Sequence, residues 1–258
     1  MKMRVGHVIG GGGAIRKWKI DKSWYACKKI SLVNTPETFR KEAEMALRTR
    51  RLSHVAKVEK AFVKDNKGYL VMELCRTDLR DYMIEKAMLS GAEAARIFFQ
   101  ICQTVQKLHD IGIVHLDLTL ENILIGFDGE IKLIDFGSAM VVKGEDKKII
   151  QKKGGMVGYN SPEVNKNTPV NPKKADVWSL GVILHLMMTG SFPNSVVGKR
   201  RRFSWGKSLS NLLDRMLHPD QEQRCTLAEV LSHPWLVANS RTKSDSKKKA
   251  LTKILLNK

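Results

Sequence analysis

The chain has 258 residues, 43% apolar and 28% charged, with four cysteines and a formal net charge of +19. That length and apolar content suffice for a substantial core, which excludes a disulfide-stapled miniprotein and a wholly disordered chain. So large an excess of Lys and Arg implies attraction to something anionic: nucleic acid, acidic lipid, acidic protein or a phosphorylated substrate.

Cys27, Cys75, Cys102 and Cys225 are scattered with no C-x-x-C pair, which argues against a zinc site or disulfide framework and for a reducing intracellular setting, cytoplasm or nucleus. Residues Met1 to His7 lack the apolar core of a signal peptide. The longest nearly unbroken apolar run, Val177 to Met188, is too short to span a bilayer. No internal repeat and no Pro- or Ser-rich linker divides the chain.

In chain order, Arg4 to Ile9, Trp24 to Ile30, Val58 to Val63 and Tyr69 to Leu74 read as short strands separated by Gly, Asn or Asp. One helix interrupts them, with Thr35 as N-cap, Pro36 at the first helical position, and Phe39, Ala43, Met45 and Ala46 as its apolar stripe. After Asp78 the pattern turns helical. Ser90 to Glu93 reads as a capping box opening a helix that carries Ile97, Phe98, Ile101, Cys102, Val105 and Leu108 on one face and stops at Gly112. Ala175 to Met188 is apolar nearly all round and predicts a central buried helix; Leu209 to Leu217 and Leu227 to Leu231 read as shorter amphipathic ones. From Asn239 onward Lys and Arg dominate, which reads as a basic tail over 239–258. The expected fold is α+β and bilobal, a small antiparallel sheet lobe with one helix followed by a larger helical lobe, with a ligand site in the cleft between them.

The most specific stretch is His115-Leu116-Asp117-Leu118-Thr119-Leu120-Glu121-Asn122, followed by Asp135-Phe136-Gly137. Two apolar runs, Ile123 to Ile125 and Ile131 to Leu133, fill the interval as a hairpin. This pairing resembles the eukaryotic-type protein kinases, whose H-R-D-x-x-x-x-N and D-F-G motifs supply a catalytic Asp and two metal ligands. The resemblance covers residues 4 to 238. It implies a kinase domain over 1–238, with an N-lobe of about 1–74, a hinge at 73–78 and a C-lobe of about 79–238.

By that resemblance Asp117 orients the substrate hydroxyl and accepts its proton, while Asn122 and Asp135 hold Mg2+ against the phosphates of ATP. Tyr25-Ala26-Cys27-Lys28 is similar to the family's V-A-I-K strand, whose Lys contacts the phosphates and pairs with a helix Glu. Glu42 is the partner favoured by the local string Phe39 to Met45, and Glu44 fits the usual interval better; residues two apart do not share a helix face, so one alone can serve. Gly10, Gly11, Gly12 and Gly13 provide a glycine-rich loop for ATP, with its register open: reading from Gly10 puts Ile15 at the third glycine, and reading from Gly6 puts Val8 at the second.

Leu70 to Leu79 is similar to the hinge of cyclin-dependent kinases, which implies Met72 as gatekeeper, the Glu73 and Cys75 backbone on adenine, Asp78 near the ribose and Leu124 as the adenine floor. Glu163 and Arg224 take the places of a buried structural ion pair, and His233-Pro-Trp-Leu236 resembles the end of calmodulin-dependent kinase domains.

Five departures matter. Leu116 replaces the Arg of H-R-D, and no Ser, Thr or Tyr occurs from Ala139 to Gly158, where Lys143, Lys147, Lys148, Lys152 and Lys153 make the segment basic. That predicts activity independent of loop phosphorylation. Thr119 replaces a phosphate-contacting Lys, and Met156 the Thr that contacts it; the loop variant is similar to some herpesvirus kinases. The stretch Asn194 to Ser204 is short for the family and holds Lys199-Arg-Arg-Arg202, which reads as a nuclear-import signal, an acidic-partner patch or a solvated loop.

The expected function is transfer of the γ-phosphoryl of ATP to Ser or Thr of a protein substrate, acidic or nucleic-acid-associated on charge grounds. The alternative is a pseudokinase serving as a nucleotide-binding scaffold, and direct nucleic-acid binding is the less favoured third reading.

Overall fold

The computed structural model describes residues 3–10, 14–33, 36–142, 156, 158–166, 168–193 and 206–240. The first part is a five-stranded antiparallel sheet built from β1 (Met3–Gly10), β2 (Ile15–Ile20), β3 (Ser23–Ser31), β4 (Val58–Lys64) and β5 (Lys67–Glu73), in the order β1-β2-β3-β5-β4, with α1 (Pro36–Thr49) between β3 and β4. Asp65 and Asn66, both at positive φ (49° and 52°), close the β4–β5 hairpin in the two-residue form that matches strand twist.

Alternation divides this sheet into two faces. Ala26, Leu70 and Met72 point toward α1 and join Phe39, Ala46 and Val58 in one cluster, while Trp18, Cys27 and Val71 form a second cluster on the opposite face. Phe39 sits on bare Gly68, where an added Cβ would come within 2.3 Å of its ring, so α1 is seated on the sheet at that point.

The second part comprises β6 (Thr77–Asp78), α2 (Leu79–Lys86), α3 (Gly91–Asp110), β7 (Ile113–Val114), β8 (Ile123–Ile125), β9 (Ile131–Leu133), β10 (Met140–Val141), α4 (Pro162–Asn165), α5 (Pro172–Thr189), α6 (Gly206–Met216), α7 (Leu227–Ser232) and α8 (Pro234–Asn239). Leu180, Val182, Ile183 and Leu184 of α5 are fully buried against α3 and α6, as an all-round apolar helix requires. The two parts are stitched where the chain leaving α1 meets β9: Leu133 N donates to His54 O (2.8 Å) and Ala56 N to Leu133 O (3.0 Å).

The α+β, two-part architecture is the one the sequence predicts. Three details differ. β2 is a strand beyond the four expected in this part, although Ile15-Arg-Lys-Trp-Lys-Ile20 alternates. Helix α5 begins at Pro172, three residues before Ala175, because Asn171 caps it through Lys174 N. The Ser90–Glu93 capping box is half made: Ser90 Oγ accepts from Glu93 N, while the Glu93 carboxylate accepts instead from Tyr82 OH at 2.7 Å. The expected N-cap Thr35, the segment 194–204 with its basic run, and the tail from 241 lie outside the described residues.

Candidate active site

Lys28 sits in the middle of β3 on the face that looks toward α1. Its Nζ lies 2.7 Å from Glu42 Oε1 and 2.9 Å from Asp135 Oδ2. Glu42 is 4% exposed on the buried side of α1, whereas Glu44 points outward and pairs with Arg48. The helix face thus decides between the two candidates. Burial pulls the Lys28 ammonium down, but the two carboxylates pull it up by more, so it stays charged. Burial, with the Asp135 charge adding to it, raises the Glu42 carboxyl by more than Lys28 lowers it.

Asp117 lies on the loop between β7 and β8, and this loop is held from below. Asp176 of α5, with its side chain wholly buried, accepts from His109 Nε2 (2.8 Å) and from the backbone N–H of His115 (3.0 Å) and Leu116 (2.8 Å). Those bonds hold Leu116 at φ +63°, a conformation that costs a Leu about 1 kcal/mol or more.

His115 continues the chain of contacts. Its Nδ1 accepts from Asp117 N (3.3 Å), its Nε2–H donates to Ile134 O (3.1 Å), and its ring packs against Phe136 with centroids 5.1 Å apart. Sequence reading missed His109, His115 and Asp176 as loop-positioning groups. The string Asp176 to Gly181 resembles the family's central helix, but nothing in it reveals the role of Asp176, whose partners lie 60 or more positions away in the chain.

Asn122 Nδ2 donates to Asp117 O (2.8 Å), which ties the two ends of the loop and leaves the Asn122 carbonyl oxygen as an acceptor. Thr119 is 2% exposed and its hydroxyl accepts from Asn122 N at 3.2 Å, so this side chain closes a turn. Burial, with the Asp135 charge adding to it, holds the Asp117 carboxyl above the usual Asp range against His115, Asn122 and Lys28. A carboxylate raised in this way, beside a second carboxylate paired with a lysine, can hold a proton and anchor an anion.

The family model for the protein kinase domain matches residues 4–236. The chain belongs to the protein kinase family. Among curated proteins it is similar to testis-specific serine/threonine-protein kinase 1 of Mus musculus, 36% identical over 195 residues that cover 69% of this chain and 53% of that one. Sperm motility kinase 3A of Mus musculus is 35% identical over 67% of this chain and 37% of its own length. The serine/threonine-protein kinase PEPKR2 of Arabidopsis thaliana is 32% identical over 90% of this chain and 53% of its own. The chain spans about half the length, or less, of these relatives.

Elsewhere in this kinase domain, Ala26 and Met72 are cross-strand neighbours on the buried face, and a cavity of about 20 Å3 lies behind Met72, lined by Leu70, Phe136 and Glu42 among others. That is room for about one water and no ring. The Glu73 carboxylate is turned away, accepting from Lys57 N (2.7 Å) and facing Lys132 (3.5 Å). Asp78 caps α2 through Asp81 N and pairs with Leu124 across β6 and β8. Cys75 is half-buried, and burial pushes its thiol up to about 12, which makes it a poor nucleophile. Gly10 ends β1; Gly11 and Gly12 lie outside the described residues.

Glu163 and Arg224 form the bidentate pair that the sequence implied, at 2.7 and 3.0 Å, with Arg224 also donating to Lys174 O and His218 O and lying 5.0 Å over the Trp178 ring.

Proposed function

We propose that this domain transfers the γ-phosphoryl group of ATP to Ser or Thr hydroxyls of protein substrates. The observation that carries the reading is Lys28 held between Glu42 and Asp135 at 2.7 and 2.9 Å, with Phe136 buried beneath. A fixed cation there serves to position phosphates, and positioning with charge neutralisation is most of what phosphoryl transfer asks of a protein. Asp117 orients the attacking hydroxyl and takes its proton. Ala26, Met72, Leu124 and the backbone of Glu73 and Cys75 border adenine, Asp78 lies by the ribose, and Gly10 to Gly12 cover the phosphates.

Asn122 and Asp135 would hold Mg2+. Both are hard oxygen donors, which suit a cation taking one or two protein oxygens and completing its shell with phosphate and water. Bound there, it would neutralise charge on the phosphates.

The reading includes activity without phosphorylation between 139 and 158. Leu116 is 9% exposed in an apolar cluster with Val114, Val142, Val164, Val170 and Ala175. Packing therefore holds the chain near Val142 against the Asp117 loop, with no cation at position 116 for a phosphate to engage. Phosphatase treatment should leave the rate unchanged. The +19 charge favours acidic or nucleic-acid-associated substrates by Coulomb attraction, and the scattered cysteines favour an intracellular site in cytoplasm or nucleus; among the described residues no helix is long and apolar enough to cross a membrane.

A nucleotide-binding scaffold is the second reading, favoured by Thr119, whose buried hydroxyl offers no charge to the transferred group. Loss of one such contact raises the barrier by about 3 kcal/mol, which slows turnover without abolishing it. Transfer of labelled γ-phosphate with ATP and Mg2+, beside an Asp117→Asn control, separates the two: loss of transfer in the control supports the kinase, and ATP binding without transfer in the wild type supports the scaffold.

A further inference from the structure

The sheet face opposite α1 carries a basic, aromatic-floored cavity that the kinase chemistry does not use. Pairing places Arg16, Cys27, Val71 and Lys60 in one row across β2, β3, β5 and β4, and Lys29, Tyr69 and Phe62 in the next. Strict alternation puts all of these on the side away from Lys28. Trp18 and Tyr69 meet at 5.5 Å between ring centroids, Tyr69 stacks on Phe62 at 5.0 Å, and beneath them Cys27 and Val71 are 1% exposed.

Between β1 and these rings lies a cavity of about 230 Å3. Trp18, Cys27 and Tyr69 are its apolar side, Ala14 and the exposed Val5 flank it, and Arg16 and Lys29 stand at its edge. An apolar cavity of about 150 Å3 admits benzene, so this one admits one aromatic side chain. Arg16 and Lys29 are exposed and have no acidic partner among the described residues. The acid on the same face, Glu73, is spent on Lys57 and Lys132. Burial pushes the Cys27 thiol up to about 12, so the floor is inert packing.

We infer that this face is a docking site for an acidic peptide segment of a partner protein, which inserts one aromatic side chain against Trp18 and Tyr69 and sets its flanking carboxylates on Arg16 and Lys29. Charge decides the occupant. The chain's own segment 241–258 carries six lysines and one arginine against a single acid and would be repelled by the same cations. An aromatic anchor ringed by charge is the usual composition of a small interface centre. The site lies on the opposite side of β3 from Lys28, so its occupancy and nucleotide binding are separable.

The test is titration of the full chain, carrying 15N-labelled tryptophan, with the peptide acetyl-EEFEE-amide, following the Trp18 indole resonance assigned with Trp18→Phe. The expected result is a saturable shift with a Kd below about 1 mM. It should weaken about tenfold for acetyl-EEAEE-amide and about tenfold in Arg16→Glu/Lys29→Glu. The charge-matched control Lys41→Glu/Lys166→Glu, on other surfaces, should change it less than about twofold. Ala14→Phe, which fills the cavity, should abolish the shift.

No saturable shift by about 1 mM peptide would overturn the inference. So would equal binding of the alanine peptide, or an equal loss in the control, either of which marks general attraction to a basic surface. Tighter binding of a seven-nucleotide oligothymidine at the same indole would assign the face to nucleic acid and overturn it as well.

Discussion

Two buried glutamates in this domain each meet a cation at 2.7 Å, and they are shifted in opposite directions. Glu163 faces Arg224, and there the guanidinium outweighs burial and holds the carboxyl below its usual range. Glu42 faces Lys28, and there burial together with the Asp135 charge outweighs the ammonium, so the carboxyl is held up. Geometry explains the difference. Arg224 is completely buried and spends its donors on both oxygens of Glu163 and on two backbone carbonyls. Lys28 offers one contact to Glu42, divides its charge with Asp135, and remains 19% exposed. The first pair is closed and structural. The second has charge left over, which is what a group that must receive an anionic substrate needs.

That contrast is broken most severely by Lys28→Met, which should lower the phosphoryl-transfer rate about 10^3-fold or more. Arg224→Met reverses the balance, because it strands a buried carboxylate; chemical denaturation should show a loss of about 3–5 kcal/mol.

The pH dependence sharpens the same comparison. Glu163 and Asp176 are both depressed in the folded state, so the stability they contribute is complete above the ordinary carboxylate pKa of about 4 and is lost as pH falls through their lower folded values. Glu42 has the opposite sign: its folded pKa is raised, so its ionisation costs stability at neutral pH, and that cost disappears in acid. Unfolding followed from pH 6 to pH 2 should steepen below about pH 4, and Glu163→Gln should flatten it where Glu42→Gln does not. The smallest effect is expected of Glu44→Gln, a change of less than about twofold in rate, since that side chain pairs on the surface with Arg48.

Much of this was legible in the chain. The spacing of Asp117, Asn122 and Asp135 and the strand around Lys28 are local patterns, and local patterns survive in one dimension. The choice between Glu42 and Glu44 is not local: both fit the helix, and only the packing of α1 over Gly68 turns one inward. Asp176 was harder still. Its reason for being an aspartate is the pair of backbone amides at His115 and Leu116, brought to it by the fold. Strand β2 went unnamed because Lys17 and Lys19 dilute its hydrophobicity, although their alternation with Trp18 and Ile20 was the available signal. The Ser90 box is complete in its spacing, and spacing cannot reveal that Tyr82 competes for Glu93.

The most direct test is a paired measurement on Glu42→Gln and Glu163→Gln, recording the melting temperature and the rate of γ-phosphoryl transfer per folded molecule. Glu42→Gln should keep its melting temperature within about 2 °C and lose about 10^2 in rate, because a functional charge has been removed. Glu163→Gln should melt at least about 6 °C lower and transfer phosphate at close to the wild-type rate while folded. Equal losses of stability in the two variants, or an unchanged rate in Glu42→Gln, would contradict this division between a structural and a functional pair.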